Sequence, residues 1–153
     1  IITRSIQPVG RDLGYLPGDV DEKMDPWLAP IMDNVKHAFN DMTYFDCLRD
    51  KGQIEIAPLS YIRGRTFNDS YIIVDEAQNT TIHELKTIIT RTGKGSKIIL
   101  LGDTDQVDTP YIDKRSNGLS IVLEKFKNSD VAGHIHLPIG QRSEVATIAS
   151  KIL

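Results

Sequence analysis

Acidic side chains stand directly after two apolar stretches of this chain. Asp75 and Glu76 follow the apolar run 71–74, and Asp103 follows the run 98–101 after one glycine. Adjacent acids after a buried strand form the Walker B arrangement, in which the first carboxylate holds Mg²⁺ through water and the second orients or deprotonates an attacking water. In the alternative interpretation, Asp75 only caps the next helix and Glu76 lies in its first turn.

A glutamine follows the second acid at a spacing that suits contact with a phosphate. Gln106 stands three residues after Asp103, one helix and one strand beyond the acids Asp75 and Glu76. A glutamine just past the carboxyl end of a strand can reach a γ-phosphate or its attacking water. By itself, the Gly-Asp-x-x-Gln pattern is also compatible with a polar turn, but its order after the two acids favours a phosphate sensor.

A basic side chain opens the last predicted helix. Arg142 precedes Ser143, and a guanidinium there can donate paired hydrogen bonds to a transferring phosphoryl group, as an arginine finger does. The competing interpretation is an arginine at a helix N-terminus that pairs with Glu144.

The elements that would bring these residues together are those of a parallel α/β sheet. Residues 71–75 and 97–103 are apolar without alternation, which predicts strands buried on both faces. A capping box that starts at Thr81 begins the helix between them. Ligands of such sheets bind at the carboxyl ends of the strands, so we expect the acids and Gln106 to meet at one edge.

Further elements are predicted on both sides of these strands. Short strands are predicted at residues 1–4, 54–59 and 134–138, and helices at 22–40, 44–50, 118–127 and from 143 onward. Pro26 and Pro30 predict one or two short helices in the first of these, not one straight rod. The last helix should turn Val145, Ala146, Ile148, Ala149 and Ile152 inward. Because no repeat or linker interrupts the pattern, residues 1–153 are expected to form one domain.

The composition is that of an ordinary globular protein. Charged residues make up 25% of the 153 residues, and 18 basic against 21 acidic side chains give a net charge of −3. This balance excludes a polycation of the histone type but leaves room for a local basic groove. A single cysteine, Cys47, excludes an internal disulfide and a multi-cysteine zinc site. No apolar run approaches the roughly 18 residues of a membrane span, and no secretory signal is recognisable, so we expect no membrane partner and a cytoplasmic setting.

Arginine and hydroxyl side chains near the ends of predicted strands suit contacts with a single nucleic-acid strand. Guanidinium and hydroxyl groups on such loops can bind successive phosphates. The alternative is a solvated basic loop that pairs with Asp69 or Asp75, in which Arg65 could instead face a nucleotide. The candidate residues are Thr3, Arg4, Arg63, Arg65 and Thr66.

Taken in order, these patterns resemble known motifs along nearly the whole chain. Four stretches look like motifs of superfamily 1 helicases. Motif Ia resembles Thr3-Arg4, and motif II resembles Asp75-Glu76-Ala77-Gln78. Motif III resembles Gly102-Asp103-x-x-Gln106, and motif IV resembles Gln141-Arg142-Ser143. The PhoH family of ATPases is more closely similar, through the stretches GYLPGD (14–19), IEIAPL (54–59), RGRT (63–66) and DEAQN (75–79). The stretch PVGRD (8–12), with Met24-x-Pro26-Trp27, is most similar to the branch in which PhoH follows an N-terminal PIN nuclease domain.

The resemblance implies a three-layer, RecA-like P-loop NTPase domain with ATP and Mg²⁺ as cofactors and single-stranded RNA as the polymer. For the PIN-fused branch it implies ATP-dependent RNA unwinding coupled to ribonuclease cleavage. Matched by position, Asp75 would coordinate Mg²⁺ through water, Glu76 would activate the hydrolytic water, Gln106 would sense the γ-phosphate with Asp103 beside it, and Arg142 would be the finger. That finger would act within one chain or across the interface of a homo-oligomer.

One motif of the family is missing from the chain. No Gly-x-x-x-x-Gly-Lys-Ser/Thr pattern occurs in the 153 residues, and Gly93 and Gly95 fail its spacing and precede a strand. A P-loop supplies the backbone N–H cradle and the lysine for the phosphates, and the hydroxyl for Mg²⁺. In the family it lies upstream, together with a central strand, so we expect this chain alone to hydrolyse ATP poorly or not at all. The sheet face or edge left open would favour self-association.

Two other functions remain open from the sequence. The chain could be a nucleotide-independent RNA-binding or oligomerisation module in which Asp75 and Glu76 no longer act. It could also belong to a P-loop ATPase that acts on protein. Recovery of ATP turnover on restoring the upstream sequence would separate the RNA-driven ATPase from the nucleotide-independent module, and stimulation of that turnover by RNA would separate the ATPase that acts on protein from both.

Overall fold

The structure, a computed structural model, describes residues 1–4, 20–39, 42–138 and 143–152. Its contacts group the chain into two compact units, Ile1–Val122 and Leu123–Leu153. The predicted motifs at residues 8–12 and 14–19, and Gln141 with Arg142, lie outside the described residues.

Three parallel strands form the sheet of the first unit. They are β1 (Ile2–Arg4), β2 (Tyr71–Asp75) and β3 (Lys97–Leu100), in the order β1-β2-β3. Thr3 lies opposite Val74, and Val74 lies opposite Leu100. The predicted parallel α/β class is therefore confirmed, and the carboxyl ends of all three strands open at the same edge.

The described part of the chain contains six α-helices. Their bounds are α1 (Val20–Phe39), α2 (Met42–Asp50), α3 (Leu59–Ile62), α4 (Ile82–Ile89), α5 (Gly118–Phe126) and α6 (Glu144–Ile152). The helices predicted at 44–50, 118–127 and after Ser143 are confirmed, and Gly52 follows α2 with a φ of +67°, which suits glycine. No helix among these residues is long and apolar enough to cross a membrane.

Helix α1 runs without interruption, so the predicted break at its prolines is wrong. Pro30 lacks the N–H that would bond to the carbonyl of residue 26, and residue 26 is itself proline. Each proline removes one backbone donor, and the other residues of the 20-residue helix keep theirs.

The fully buried side chains of β2, Ile72 and Val74, lie on one face of the sheet. Other buried apolar side chains of the first unit come from α1, α2, α3, α4 and α5, and include Ile31, Phe45, Ile62, Leu85, Ile88 and Leu119. On the other face, Tyr71 is 63% exposed and Ile73 is only half-buried. The prediction of strands buried on both faces is wrong for this second face. An unbroken apolar run shows that a strand could be buried on both faces, but it does not show that other elements pack against both of them.

The strand predicted at residues 54–59 is reduced to a single bridge. Ile56 pairs in parallel with Ile2, supported by a hydrogen bond of 3.0 Å from the Ala57 N–H to the Ile2 carbonyl. Pro58 then has a φ of −63° and precedes the first residue of α3. Since proline has no N–H for a sheet ladder, the pairing stops there.

In the second unit, two sequence-based predictions are wrong. Residues 134–138 form no strand, and Ile135 is 84% exposed. A strand requires a neighbour for its backbone groups, and these residues have no pairing among the described strands. Helix α6 begins after Ser143 as predicted, with the Ala146 N–H donating to the Ser143 hydroxyl at 3.3 Å. The prediction that its apolar side chains turn inward is wrong for Val145, Ile148 and Ile152, which are exposed, whereas Ala146 and Ala149 are half-buried.

Gly118 is expected to be necessary for the contact between α5 and the segment before α4. A Cβ at this position would lie 2.8 Å from the Thr81 carbonyl oxygen and 2.9 Å from that of Thr80, and both are backbone atoms. Gly118→Ala should therefore destabilise the protein by roughly 1–3 kcal/mol, although helix propensity alone favours alanine by about 1 kcal/mol. Denaturant unfolding measures the change.

Gly133→Ala is the matched control, because a Cβ there would meet nothing within 4 Å. We expect it to change the free energy of unfolding by less than about 0.5 kcal/mol. Equal stability of the two variants would contradict the close approach at Gly118.

Candidate functional site

The two adjacent acids lie at the carboxyl end of β2. Asp75 is the last residue of the strand, and Glu76 follows in the left-handed conformation, with φ 52° and ψ 41°. A short 3-10 helix, Ala77–Asn79, comes next, and the cap of α4 is Thr81. Asp75 is therefore not the cap of the next helix, which removes the alternative interpretation of this residue.

Arg4 lies beside both acids. Its Nη2 is 3.3 Å from Oε1 of Glu76, and its Nε is 3.8 Å from Oδ2 of Asp75. The strand register causes this arrangement, because Arg4 is the partner of Asp75 in the pairing of β1 with β2. The sequence predicted a nucleic-acid contact for Arg4; the structure places it within the pair of carboxylates.

Gln78 is a site residue that the sequence analysis missed. Its side chain is 1% exposed and forms three hydrogen bonds. Nε2 donates to Oε2 of Glu76 at 2.6 Å and to the Gln106 carbonyl at 3.0 Å, and Oε1 accepts from the Asp103 N–H at 3.2 Å. Gly102 makes room for it, since a Cβ there would lie 2.4 Å from Oε1 of Gln78. The paired occurrence of a glutamine after the acids and a glycine after β3 was the available signal.

Asp103 and Gln106 are joined within one tight turn. The Gln106 side chain donates to Oδ2 of Asp103 at 2.6 Å, and the Asp105 N–H donates to Oδ1 at 2.9 Å. A polar turn is thus present, as one interpretation of this pattern required. Gln78 connects this turn to Glu76, because its amide bonds to both. The sensor role of Gln106 stays a prediction.

The structure separates the other candidate nucleic-acid residues. Arg63 and Thr66 are exposed in the segment between α3 and β2. Thr3 is completely buried, and its hydroxyl has no hydrogen-bond partner in the described part of the chain. Its position opposite Val74 faces the core, so the structure does not place Thr3 on a surface that RNA could reach.

Arg65 is engaged by an acid that the sequence analysis did not consider. Both terminal nitrogens of its guanidinium donate to the Glu55 carboxylate, the Nη2–Oε2 bond being 2.7 Å long. The guanidinium also lies 4.8 Å from the centre of the Phe67 ring. The partner is therefore Glu55, not Asp69 or Asp75 as the alternative for this loop supposed. The hydrogen bonds from Arg65 lower the pKa of the Glu55 carboxyl.

This ion pair makes stability depend on pH. Because the folded state lowers the pKa of Glu55 below its ordinary value of 4.5, the ionised pair stabilises the fold above that pH, and the contribution is lost as pH falls through the lower folded pKa. Glu55→Gln should lower the free energy of unfolding by about 0.5–1 kcal/mol at pH 7, with the difference vanishing in acid. Urea unfolding at several pH values measures this.

Arg65→Gln is the companion variant. If the pair acts as described, Arg65→Gln should lose at least as much as Glu55→Gln, because it also loses the contact with the Phe67 ring, and the double variant should lose little more than Arg65→Gln alone. A loss for Glu55→Gln that stays constant down to pH 3 would contradict the ion pair as its cause.

The fold and the site together are typical of one class of α/β protein. A parallel sheet that presents two adjacent acids at its carboxyl edge, next to a polar loop from the neighbouring strand, is the arrangement of P-loop NTPases. Comparison with protein families agrees, because the model for "PhoH-like protein" matches residues 1–149. The chain belongs to the PhoH family.

Individual relatives carry the same family name. Protein PhoH2 of Bacillus subtilis (strain 168) is 47% identical over 156 residues, which is all of this chain and 35% of that protein. A PhoH-like protein of the same organism is 45% identical over 137 residues, 90% of this chain and 42% of that protein. Protein PhoH2 of Mycolicibacterium smegmatis is 36% identical over all of this chain and 35% of its own length. The chain thus spans between about a third and two-fifths of these relatives.

Proposed function

We propose that this chain is part of an ATP-hydrolysing domain that works on single-stranded RNA. The observation that carries the proposal is the placement of Asp75 and Glu76 at the carboxyl end of β2, where Gln78 connects Glu76 to the turn that holds Gln106. This arrangement supports a metal-binding role for Asp75, a general-base role for Glu76 and a phosphate contact for the Gln106 amide. A cytoplasmic setting agrees with the single cysteine.

Glu76 is the proposed general base. Its carboxylate would accept a proton from the water whose oxygen bonds to the γ-phosphorus, while the bond from that phosphorus to the bridging oxygen breaks and the electron pair leaves with ADP. Gln106 would contact the γ-phosphate, with Asp103 orienting its amide through the 2.6 Å hydrogen bond. Arg142, proposed from sequence alone, would donate to the transferring phosphoryl group.

Asp75 fits the requirements of a magnesium ligand. Its side chain is about one-third exposed, and its only ionic neighbour among the described residues besides Glu76 is Arg4, at 3.8 Å. No group of three or more metal-ligating side chains occurs in the described part of the chain. Mg²⁺ in nucleotide sites needs only one or two protein carboxylates, since phosphates and water complete its coordination. When bound, Mg²⁺ would offset negative charge on the phosphates.

The phosphate cradle must come from residues other than these 153, because no P-loop pattern is present among them. The proposal therefore concerns a longer protein in which a P-loop segment, and a PIN nuclease domain ahead of it, accompany this chain. RNA would contact the exposed Arg63 and Thr66. Assembly into a homo-oligomer is proposed as well, since Tyr71 and Ile73 leave one sheet face partly open.

The first test is ATP turnover, with and without single-stranded RNA, by this chain and by a longer protein that carries a P-loop ahead of residue 1. We expect turnover only in the longer protein, and stimulation by RNA. Glu76→Gln should lower that turnover by about 10²- to 10⁴-fold while ATP still binds, because the amide keeps its size but cannot accept the proton.

Glu124→Gln is the matched control, since Glu124 is an exposed residue that pairs only with Lys127 in the described contacts. Turnover unchanged by Glu76→Gln would refute its role as base. If the longer protein binds RNA but hydrolyses no ATP, the chain is a nucleotide-independent RNA-binding module. Turnover that RNA does not alter would point to an ATPase with another substrate.

A further inference from the structure

We propose that Arg4 restrains Glu76 in the resting state and that a phosphate of single-stranded RNA releases this restraint by taking the Arg4 guanidinium. The inference rests on the proposed function, in which Glu76 is the base and RNA is the polymer. It makes Arg4 a positioning residue that connects binding of RNA to hydrolysis of ATP.

Each oxygen of the Glu76 carboxylate accepts one hydrogen bond. Oε1 accepts from Arg4 at 3.3 Å, and Oε2 accepts from Gln78 at 2.6 Å. The two donors therefore hold the carboxylate in one orientation, and withdrawal of one of them would let it turn toward an attacking water.

The two donors differ in how firmly they are held. Gln78 is buried, and its amide is fixed by two further hydrogen bonds to the turn after β3. Arg4 is about one-quarter exposed, and its nitrogens lie 3.3 and 3.8 Å from the acids. These separations are longer than the 2.7–2.9 Å of strong charge-assisted hydrogen bonds. Arg4 is therefore the donor that can be withdrawn.

The backbone conformation of Glu76 is also one that depends on contacts with its neighbours. A left-handed conformation at a residue other than glycine costs about 1–3 kcal/mol and persists only where surrounding contacts maintain it. Arg4 and Gln78 supply such contacts from two sides. Withdrawal of Arg4 would remove one of them and allow the carboxylate to turn.

A phosphate is a suitable competitor for Arg4. The planar guanidinium donates two parallel hydrogen bonds to a phosphate as readily as to a carboxylate, whereas here it is shared between two acids at long distances. Successive phosphates of a single strand present this ligand at high local concentration. The exposed Arg63 and Thr66 are the residues proposed above to hold such a strand.

The decisive variant is Arg4→Ala in the longer protein that carries a P-loop. If Arg4 restrains Glu76, its removal should raise ATP turnover without RNA by about 5- to 150-fold, the usual range for coupling between two sites. RNA should then add little. Arg4→Lys, which keeps the charge but not the planar fork, should give an intermediate rate. Arg49→Ala removes an exposed arginine on α2 and should leave both rates unchanged.

A second measurement is independent of hydrolysis. Since Glu76 and RNA would compete for Arg4, Glu76→Gln should tighten binding of a fluorescent oligonucleotide in the absence of ATP, and Arg4→Ala should weaken it and abolish that gain. Fluorescence anisotropy measures both, and thermal unfolding shows that each variant is folded.

The outcomes separate the inference from the function on which it rests. Lower RNA-free turnover in Arg4→Ala would show that Arg4 supports catalysis, and would overturn the restraint. Unchanged RNA affinity in Glu76→Gln would overturn it as well. If the unsubstituted longer protein hydrolyses no ATP, the proposed function fails, whereas the competition between Glu76 and RNA for Arg4 is still decided by anisotropy.

Discussion

The site depends on the burial of one amide. Because Gln78 is 1% exposed, its donors and acceptor must be paired within the protein. The three bonds that do this reach Glu76 on one side and the backbone of Asp103 and Gln106 on the other. The ends of β2 and β3 are thereby fixed relative to each other. The same constraint requires glycine at position 102, where a side chain would occupy the place of the amide oxygen.

The residues after Gln78 extend this anchoring to the next loop and helix. Asn79 Oδ1 accepts from the Asp108 N–H at 2.8 Å, and the Asn79 carbonyl accepts from the Thr109 hydroxyl at 2.9 Å. The Thr80 carbonyl accepts from the Gly118 N–H at 2.7 Å. A five-residue segment after β2 therefore positions the acid, the turn after β3 and the start of α5 together. Its sequence therefore positions both the fold and the candidate site.

The sequence was sufficient for features that depend on neighbouring residues and insufficient for those that depend on distant ones. The capping box at Thr81 and the strand β2 were predictable, since each is determined by a few consecutive residues. The role of Gln78 was not, because two of its three partners lie 25 and 28 residues away. Arg65 was recognised as a basic residue, but its acid could not be chosen before the Ile2–Ile56 bridge was known. Residues 134–138 alternate between polar and apolar side chains as a strand would, but this alternation does not provide an adjacent strand for pairing.

Electrostatics would connect a bound nucleotide to the proposed restraint on Glu76. Asp75 and Glu76 are adjacent carboxylates, and Arg4 compensates part of their mutual repulsion. Arg4 would lose this role when a divalent cation is held at Asp75, because the cation both satisfies that carboxylate and repels the guanidinium. The Arg4–Glu76 contact would then be weakened before any RNA arrives. A phosphate of the polymer would meet an arginine that is already less firmly held, so nucleotide and RNA would act in the same direction, and neither alone would free Glu76 as fully as the two together.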